Sequence, residues 1–163
     1  GARSELAGVV LGGDKQRFDH HTRHNHLSGQ TWSNIDFKVA LTDNARSAYT
    51  GLIRIEEGAA SSEAFQENRN LLLSDKARAD TIPELEILTD DVSCSHGATA
   101  APIDPEQVFY LQSRGIPRDE ATRLVVQGFL ESTLALVPLA VRAELDELVA
   151  ERLGGLGAGE TSR

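Results

Sequence analysis

A cysteine and a histidine separated by one residue are the most reactive pair in the 163-residue sequence. Cys94 and His96 lie two positions apart, so an extended backbone would place both side chains on one face. A thiolate beside an imidazolium has a lowered pKa and is a better nucleophile or ligand for soft metals. Asp90 and Asp91, just upstream, offer oxygen ligands. From the residues alone, however, we favour a buried structural thiol.

Four of the five histidines lie between residues 20 and 26. If this segment is a strand, His20, His24 and His26 share a face with Thr22. Alternate imidazoles about 6.5–7 Å apart can approach a common metal ion, and Asp19 would add a carboxylate. The residues favour the other interpretation, in which the histidines form hydrogen bonds to neighbouring elements. A histidine-rich, metal-dependent enzyme on a β-helix or β-sandwich is therefore kept as the alternative function.

Motifs of common enzyme classes are absent from the sequence. It has no Walker A loop, no Gly-x-Gly-x-x-Gly after a strand, no Gly-x-Ser-x-Gly and no His-Glu-x-x-His. A cysteine hydrolase would need an orienting group and an oxyanion site, and the sequence locates neither. A sugar-processing β-helix needs two carboxylates about 5–10 Å apart. Asp90 and Asp91 are adjacent, hence on opposite faces of a strand, so we rank that class last.

Charge and composition restrict the partners. The chain has 16 Lys and Arg against 25 Asp and Glu, and a net charge of −9 repels nucleic-acid phosphates and anionic lipids. Its single cysteine excludes an internal disulfide and fits a reducing compartment. The longest apolar stretch, Ser132 to Val141, is interrupted by Pro138 and is shorter than a membrane span. We expect a cytoplasmic protein that binds neither nucleic acid nor membrane.

The first hundred residues read as a series of short strands separated by Gly, Asn, Asp or Ser turns. Alternation of apolar and polar residues is clearest at residues 36–41 and 52–56. No amphipathic segment of helical length separates the strands, which indicates a sandwich, a barrel or a stacked solenoid. Strand starts recur at roughly 15–20 residues, a spacing that modestly favours a solenoid. The predicted strands are residues 9–11, 31–41, 48–56, 70–73 and 85–88.

Helical patterns replace strand patterns after Ile103. Asp104 is a predicted N-cap, Pro105 occupies the first helical position, and Gly115 closes the first short helix. Pro117 opens a second helix that runs to about Val137, and a third ends at residue 154. The predicted apolar stripes are Ala121, Leu124, Val125, Gly128 and Phe129 on the second helix, and Val141, Leu145, Leu148 and Val149 on the third. Such an appendage must pack on the β region or on another protein.

Three segments, in order and spacing, resemble the SufB/SufD family of iron–sulfur cluster assembly proteins. They are EAFQENRNLLLSDKARADTIPELE at 63–86, DDVSCSHGAT at 90–99 and FYLQSRGI at 109–116. The resemblance covers roughly residues 5–137. It is closer to the SufD branch, because Asn68 stands where SufB-like proteins carry a cysteine and Cys94-Ser95-His96 is the SufD form.

The resemblance implies a mainly β fold, a right-handed parallel β-helix followed by a C-terminal α-helical region. It implies a non-catalytic scaffold that pairs with a SufB-like protein through the β-helix. His96 matches the family histidine at that interface, where iron or a nascent cluster is held transiently, and interface packing is its other interpretation. Cys94 matches a family cysteine that is either structural or a metal ligand. No permanently bound cofactor is expected.

The same resemblance gives the helices a partner and the chain its expected divisions. A SufC-like ATPase would dock on the helical region around Phe109, Tyr110, Arg114 and Gly115. We predict a β-helix over residues 1–103, incomplete at its N-terminal end as in a fragment, a helical region over 104–153, and a flexible tail over 154–163. Whether isolated copies form a homodimer, and whether iron, a cluster or a flavin binds, is left open.

Overall fold

The computed structural model describes residues 1–155, which form seven strands followed by three helices. Within these residues, no helix is long and apolar enough to cross a lipid bilayer. The elements are β1 (Arg3–Gly12), β2 (Arg17–His26), β3 (Trp32–Leu41), β4 (Arg46–Ile55), β5 (Ser62–Leu72), β6 (Arg78–Ile87), β7 (Val92–Pro102), α1 (Pro105–Ser113), α2 (Arg118–Leu134) and α3 (Leu139–Gly155).

The strands alternate between two parallel sheets. Strands β1, β3, β5 and β7 form the first sheet in that order, and β2, β4 and β6 form the second. Each circuit of two strands, here called a coil, pairs in register with the next, as in Arg3 with Trp32 and Arg46 with Arg78. The chain therefore makes about three turns of a β-solenoid before the helices. This confirms the parallel β-helix and decides among the three architectures that the strand pattern left open.

Alternate residues of every strand point between the two sheets and form the interior. The second coil is the best buried, because it lies between two others, and Ile35, Tyr49 and Ile53 are at most 1% exposed. Its Phe37 ring lies over Gly8 of the first coil, where an added Cβ would come within 2.5 Å of the ring. Stacked side chains of this kind remove apolar surface from water, which stabilises the fold by about 25 cal/mol for each Å² buried.

Helix α2 covers the outer face of the first sheet, so β3 is buried on both faces. Val126, Leu130 and Leu134 of α2 pack on Ala40 and its neighbours. Two charged residues of β3 lie under the same helix. Thr133 Oγ1 donates a 2.8 Å hydrogen bond to Asp36 Oδ2, and Lys38 Nζ donates a 2.8 Å bond to the carbonyl oxygen of Phe129. These bonds fix the helical region against the β-helix.

The structure extends the predicted strands and shifts the helical stripes. The strands begin earlier than predicted, at Arg3, Ser62 and Arg78, because their first residues are polar and carry little apolar signal. The second-helix stripe was right at Ala121, which is buried, and at Phe129, which packs against the cluster around Ala40. It was wrong at Leu124, which is 41% exposed, and it missed the buried Val126, Leu130 and Thr133. The third-helix stripe was right at Val149, which packs against the same cluster, and wrong at Val141 and Leu148, which are 44% and 50% exposed.

Helix boundaries were predicted well, because they depend on local chemistry. Asp104 accepts a 2.8 Å hydrogen bond from the Glu106 amide, as an N-cap does. Gly115 follows α1 with φ of +87°, a left-handed conformation that suits glycine. The β-helix ends at Pro102 and α3 at Gly155, so residues 154 and 155 of the predicted tail are helical. The rest of that tail lies outside the described residues.

Replacing Thr133 should loosen α2 from the β-helix. Thr133→Val removes the hydroxyl that donates to buried Asp36, and leaving a buried carboxylate oxygen without its donor costs about 1–3 kcal/mol. Urea denaturation would measure the free energy of unfolding. Thr122→Val is the matched control, because its hydroxyl bonds the Arg118 carbonyl oxygen at an exposed site of the same helix. Equal losses in the two variants would contradict the predicted role of Thr133.

Candidate functional site

Strand β7 carries the cysteine–histidine pair at the end of the β-helix. In residues 1–155 it pairs with β5 alone, so its other edge is open. Cys94 is in register with Ala64, and His96 is in register with Gln66. Ala64 and Gln66 point into the interior, and in-register partners of parallel strands point the same way. The two candidate site residues therefore share the inward face, as predicted for an extended backbone.

Cys94 is half-buried among apolar side chains. It packs against the cluster formed by Ile53, Ile55, Ala59 and Ala64. Burial raises the pKa of the Cys94 thiol, and a backbone hydrogen bond with Ala64 opposes that rise only in part. A raised pKa keeps the sulfur protonated near neutral pH, so the lowered pKa expected for a thiolate beside an imidazolium is not found. In this structure the Cys94 thiol is packed against apolar side chains.

His96 is exposed at the open end of the coil. Asp91, one of the two upstream carboxylates, already accepts a 2.6 Å hydrogen bond from the Ser61 hydroxyl. Within residues 1–155, no group of three or more His, Cys, Asp or Glu side chains is arranged to hold a metal ion. Cys94 and His96 therefore offer one soft and one borderline donor at an open edge.

Three of the four β2 histidines, His20, His24 and His26, face the inside of the first coil. His26 is 4% exposed, and its two ring nitrogens lie 2.6 Å from Thr31 Oγ1 and 2.8 Å from Ser33 Oγ. The His24 Nε2 atom lies 3.5 Å from Ser4 Oγ. Burial lowers the pKa of both rings, and for His24 the neighbouring His26 lowers it further. Neutral, hydrogen-bonded rings match the structural interpretation favoured from the residues.

The remaining members of the predicted metal site are directed elsewhere. The His20 ring packs against Phe18 and Phe37, with centroid distances of 6.4 and 5.7 Å. Asp19 lies on the outer face, where its Oδ1 is 3.1 Å from Nε2 of His21. Including Asp19 in the ligand set was wrong, because odd and even residues of a strand face opposite sides.

Similarity to known proteins agrees with this architecture. A family model described as "SUF system FeS cluster assembly, SufBD core domain" matches residues 1–129. The chain belongs to the SufBD family. It is 36% identical to the iron–sulfur cluster assembly protein SufD of Bacillus subtilis over 154 residues, which is 94% of this chain and 35% of that protein. It is 40% identical to SufD of Escherichia coli over 119 residues, 72% of this chain and 28% of that protein.

A SufBD family protein of Mycobacterium tuberculosis H37Rv is 34% identical over 154 residues, 94% of this chain and 18% of that protein. The chain therefore spans about a third or less of the length of these relatives.

Three polar residues of β5 line the interior of the β-helix beneath the candidate site. They were not predicted as site residues from the sequence. Gln66, Asn68 and Asn70 are at most 3% exposed. Asn70 Nδ2 donates to Asn68 Oδ1 and to the Thr99 carbonyl oxygen, both at 2.9 Å. Their spacing of two residues within a strand was the signal that could have placed them on one face.

Helix α1 of this SufBD chain presents an aromatic surface. Phe109 is 71% exposed and Tyr110 is 57% exposed. Arg114 stacks on Tyr110 at 5.0 Å from the ring centroid and donates a 2.9 Å hydrogen bond to its hydroxyl. The predicted docking residues thus lie together on or just after one helix, and Phe109 is free to contact another molecule.

Acid should destabilise the SufBD chain through its buried histidines. The folded state lowers the pKa of His24 and His26, so below about pH 6.5 the unfolded chain binds more protons. Stability is therefore full above that pH and falls as the pH drops. We expect the melting temperature to decrease between pH 7.5 and 5.5, and His26→Gln to reduce the decrease. With His21→Gln, on the outer face, the decrease should equal that of the wild type. An unchanged decrease in His26→Gln would contradict the assignment.

Proposed function

We propose that the chain acts as a SufD-like scaffold subunit, which holds iron or a nascent cluster where it meets a SufB-like partner. One observation carries this proposal: Cys94 and His96 face the open end of the last coil as an incomplete ligand set. A second chain that covers this end would supply the missing ligands. The iron and the cluster are cargo, held and then released.

The edge of the β-helix suits such a partner. In residues 1–155, β6 pairs only with β4 and β7 only with β5, so both strands have unpaired backbone groups at the same end. Open edges of this kind are templates for strands of another chain. Ile82, Ile87 and Leu88, in and just after β6, are 55%, 40% and 43% exposed. Apolar surface beside an open edge favours a lasting protein interface over a solvated one.

The chemistry of the pair fits transient binding. A metal ion displaces the proton of a coordinating thiol, so the raised pKa of Cys94 lowers the affinity of its sulfur for a metal near neutral pH. Imidazole nitrogen is a borderline ligand that binds iron without such a cost at that pH. His96 is therefore the main ligand in this proposal, and Cys94 supports the coil by packing. A few weak ligands from each subunit allow the cluster to leave.

The helical region is the proposed docking surface for a SufC-like ATPase. Phe109 and Tyr110 expose aromatic surface, which is enriched in protein interfaces, and Arg114 holds the Tyr110 ring in place. Because α2 is hydrogen-bonded to β3, force applied at the helices would reach the β-helix directly. Motion driven by ATP could in this way change the geometry at the β7 end.

The proposal is tested on the complex purified with its SufB-like and SufC-like partners. His96→Ala should leave all three proteins co-eluting but reduce the iron and sulfide retained after reconstitution by about tenfold or more, since second-subunit ligands alone hold the cluster weakly. Phe109→Ser should release the SufC-like protein and leave the SufB-like protein bound. Iron and sulfide analysis of the size-exclusion fractions measures both effects.

His21→Ala is the matched histidine control, because His21 is exposed on the outer face of β2, far along the chain from β7. It should retain wild-type iron and sulfide. If the His96→Ala complex retained as much iron as the wild type, His96 would be excluded as a ligand. Failure of the wild-type chain to co-elute with the SufB-like protein would exclude the scaffold function itself.

A further inference from the structure

One buried amide beneath the candidate site has a side-chain oxygen without a hydrogen-bond partner. Gln66 is 3% exposed, and its Nε2 donates a 3.3 Å hydrogen bond to the carbonyl oxygen of Gly51. Its Oε1 has no partner. A buried acceptor left without a donor costs about 1–3 kcal/mol, so a donor brought within reach of this oxygen would stabilise it.

We propose that Gln66 is the positioning residue for His96. The two residues are direct partners in the register of β5 and β7, and both face inward. Adjacent parallel strands lie about 4.8 Å apart, which brings the ring of one residue within reach of the amide below it by rotation of the two histidine side-chain torsions. In the proposed arrangement, Gln66 Oε1 accepts a hydrogen bond from a ring N–H of His96.

The contact would set the chemistry of the ring. The unpaired atom of Gln66 is Oε1, which can only accept a hydrogen bond. The ring nitrogen that faces it must therefore carry the proton. The other nitrogen is left with its lone pair free and directed away from the interior, as a metal ligand requires. This role rests on the proposed function of His96 as a ligand.

Neighbouring amides of β5 do not offer the same arrangement. Asn68 and Asn70 are in register with Ala98 and Ala100, which have no side-chain donor. Asn70 also leaves its Oδ1 unpaired, yet its amide nitrogen bonds the Thr99 backbone. Of these three buried amides, Gln66 alone has a nitrogen-bearing side chain directly above it.

The tautomer of the His96 ring tests the contact. The chain is labelled with ¹⁵N-histidine, and long-range ¹H–¹⁵N correlations are recorded at a pH at which free imidazole is neutral. The spectrum of the His96→Gln variant lacks the signals of the His96 ring, which identifies them in the wild type. The wild type should show one pyrrole-type and one pyridine-type nitrogen, and Gln66→Met should show averaged signals of two tautomers. Asn70→Leu, which removes the other incompletely bonded amide, should keep the wild-type signals.

Two further measurements separate the contact from the proposed function. Gln66→Asn shortens the amide by one methylene and is the second variant if Gln66→Met does not fold; it should also give averaged signals. In the complex with the SufB-like partner, Gln66→Met should weaken Fe²⁺ binding by about 10–100-fold, as loss of a ligand-orienting partner does. Identical tautomer signals in the wild type and both Gln66 variants would overturn the proposal. A second outcome is possible, in which the Gln66 variants change the tautomer signals but the His96→Ala complex retains as much iron as the wild type. That outcome would reject the ligand role of His96 and, with it, positioning by Gln66.

Discussion

In-register stacking of parallel coils is the constraint on which the rest of the molecule depends. Each inward side chain lies directly on the inward side chain of the coil before it, as His96 lies on Gln66 and Cys94 on Ala64. The stacking buries the interior of the second coil and leaves one edge of β7 unpaired within residues 1–155. An unpaired strand edge of this kind is suited to adding strands from another chain.

The helices depend on the same stacking. Helix α2 can lie flat on the first sheet because three successive strands present their outer residues in rows, with Leu11, Ala40 and Leu71 among them. The buried charges of β3 are hydrogen-bonded by this helix, so the position of α2 is specific as well as favourable. The β7 end and the helical surface are thereby parts of one packed body.

Sequence reasoning succeeded where the signal is local. Neighbouring residues were enough to predict the N-cap at Asp104 and the helix end at Gly115. They also predicted that His20, His24 and His26 share one strand face. Alternation could not say which face of a strand points inward, although it does place Asp19 on the face opposite His20, His24 and His26. The solenoid could not be separated from a sandwich, because its coils of about thirty residues share no repeated sequence. The alignment of Gln66 with His96 requires the register of two strands thirty residues apart, which only the fold supplies.

The central claim is that β7 is the edge completed by a SufB-like partner, so that its inward pair becomes part of a shared site. Amide hydrogen exchange, measured on the chain alone and in the complex, tests this most directly. Some backbone amides of residues 92–102 are not hydrogen-bonded to β5. These amides should exchange rapidly in the free chain and become protected in the complex. Protection that appears only at β1, with β7 exchanging equally fast in both samples, would contradict the account.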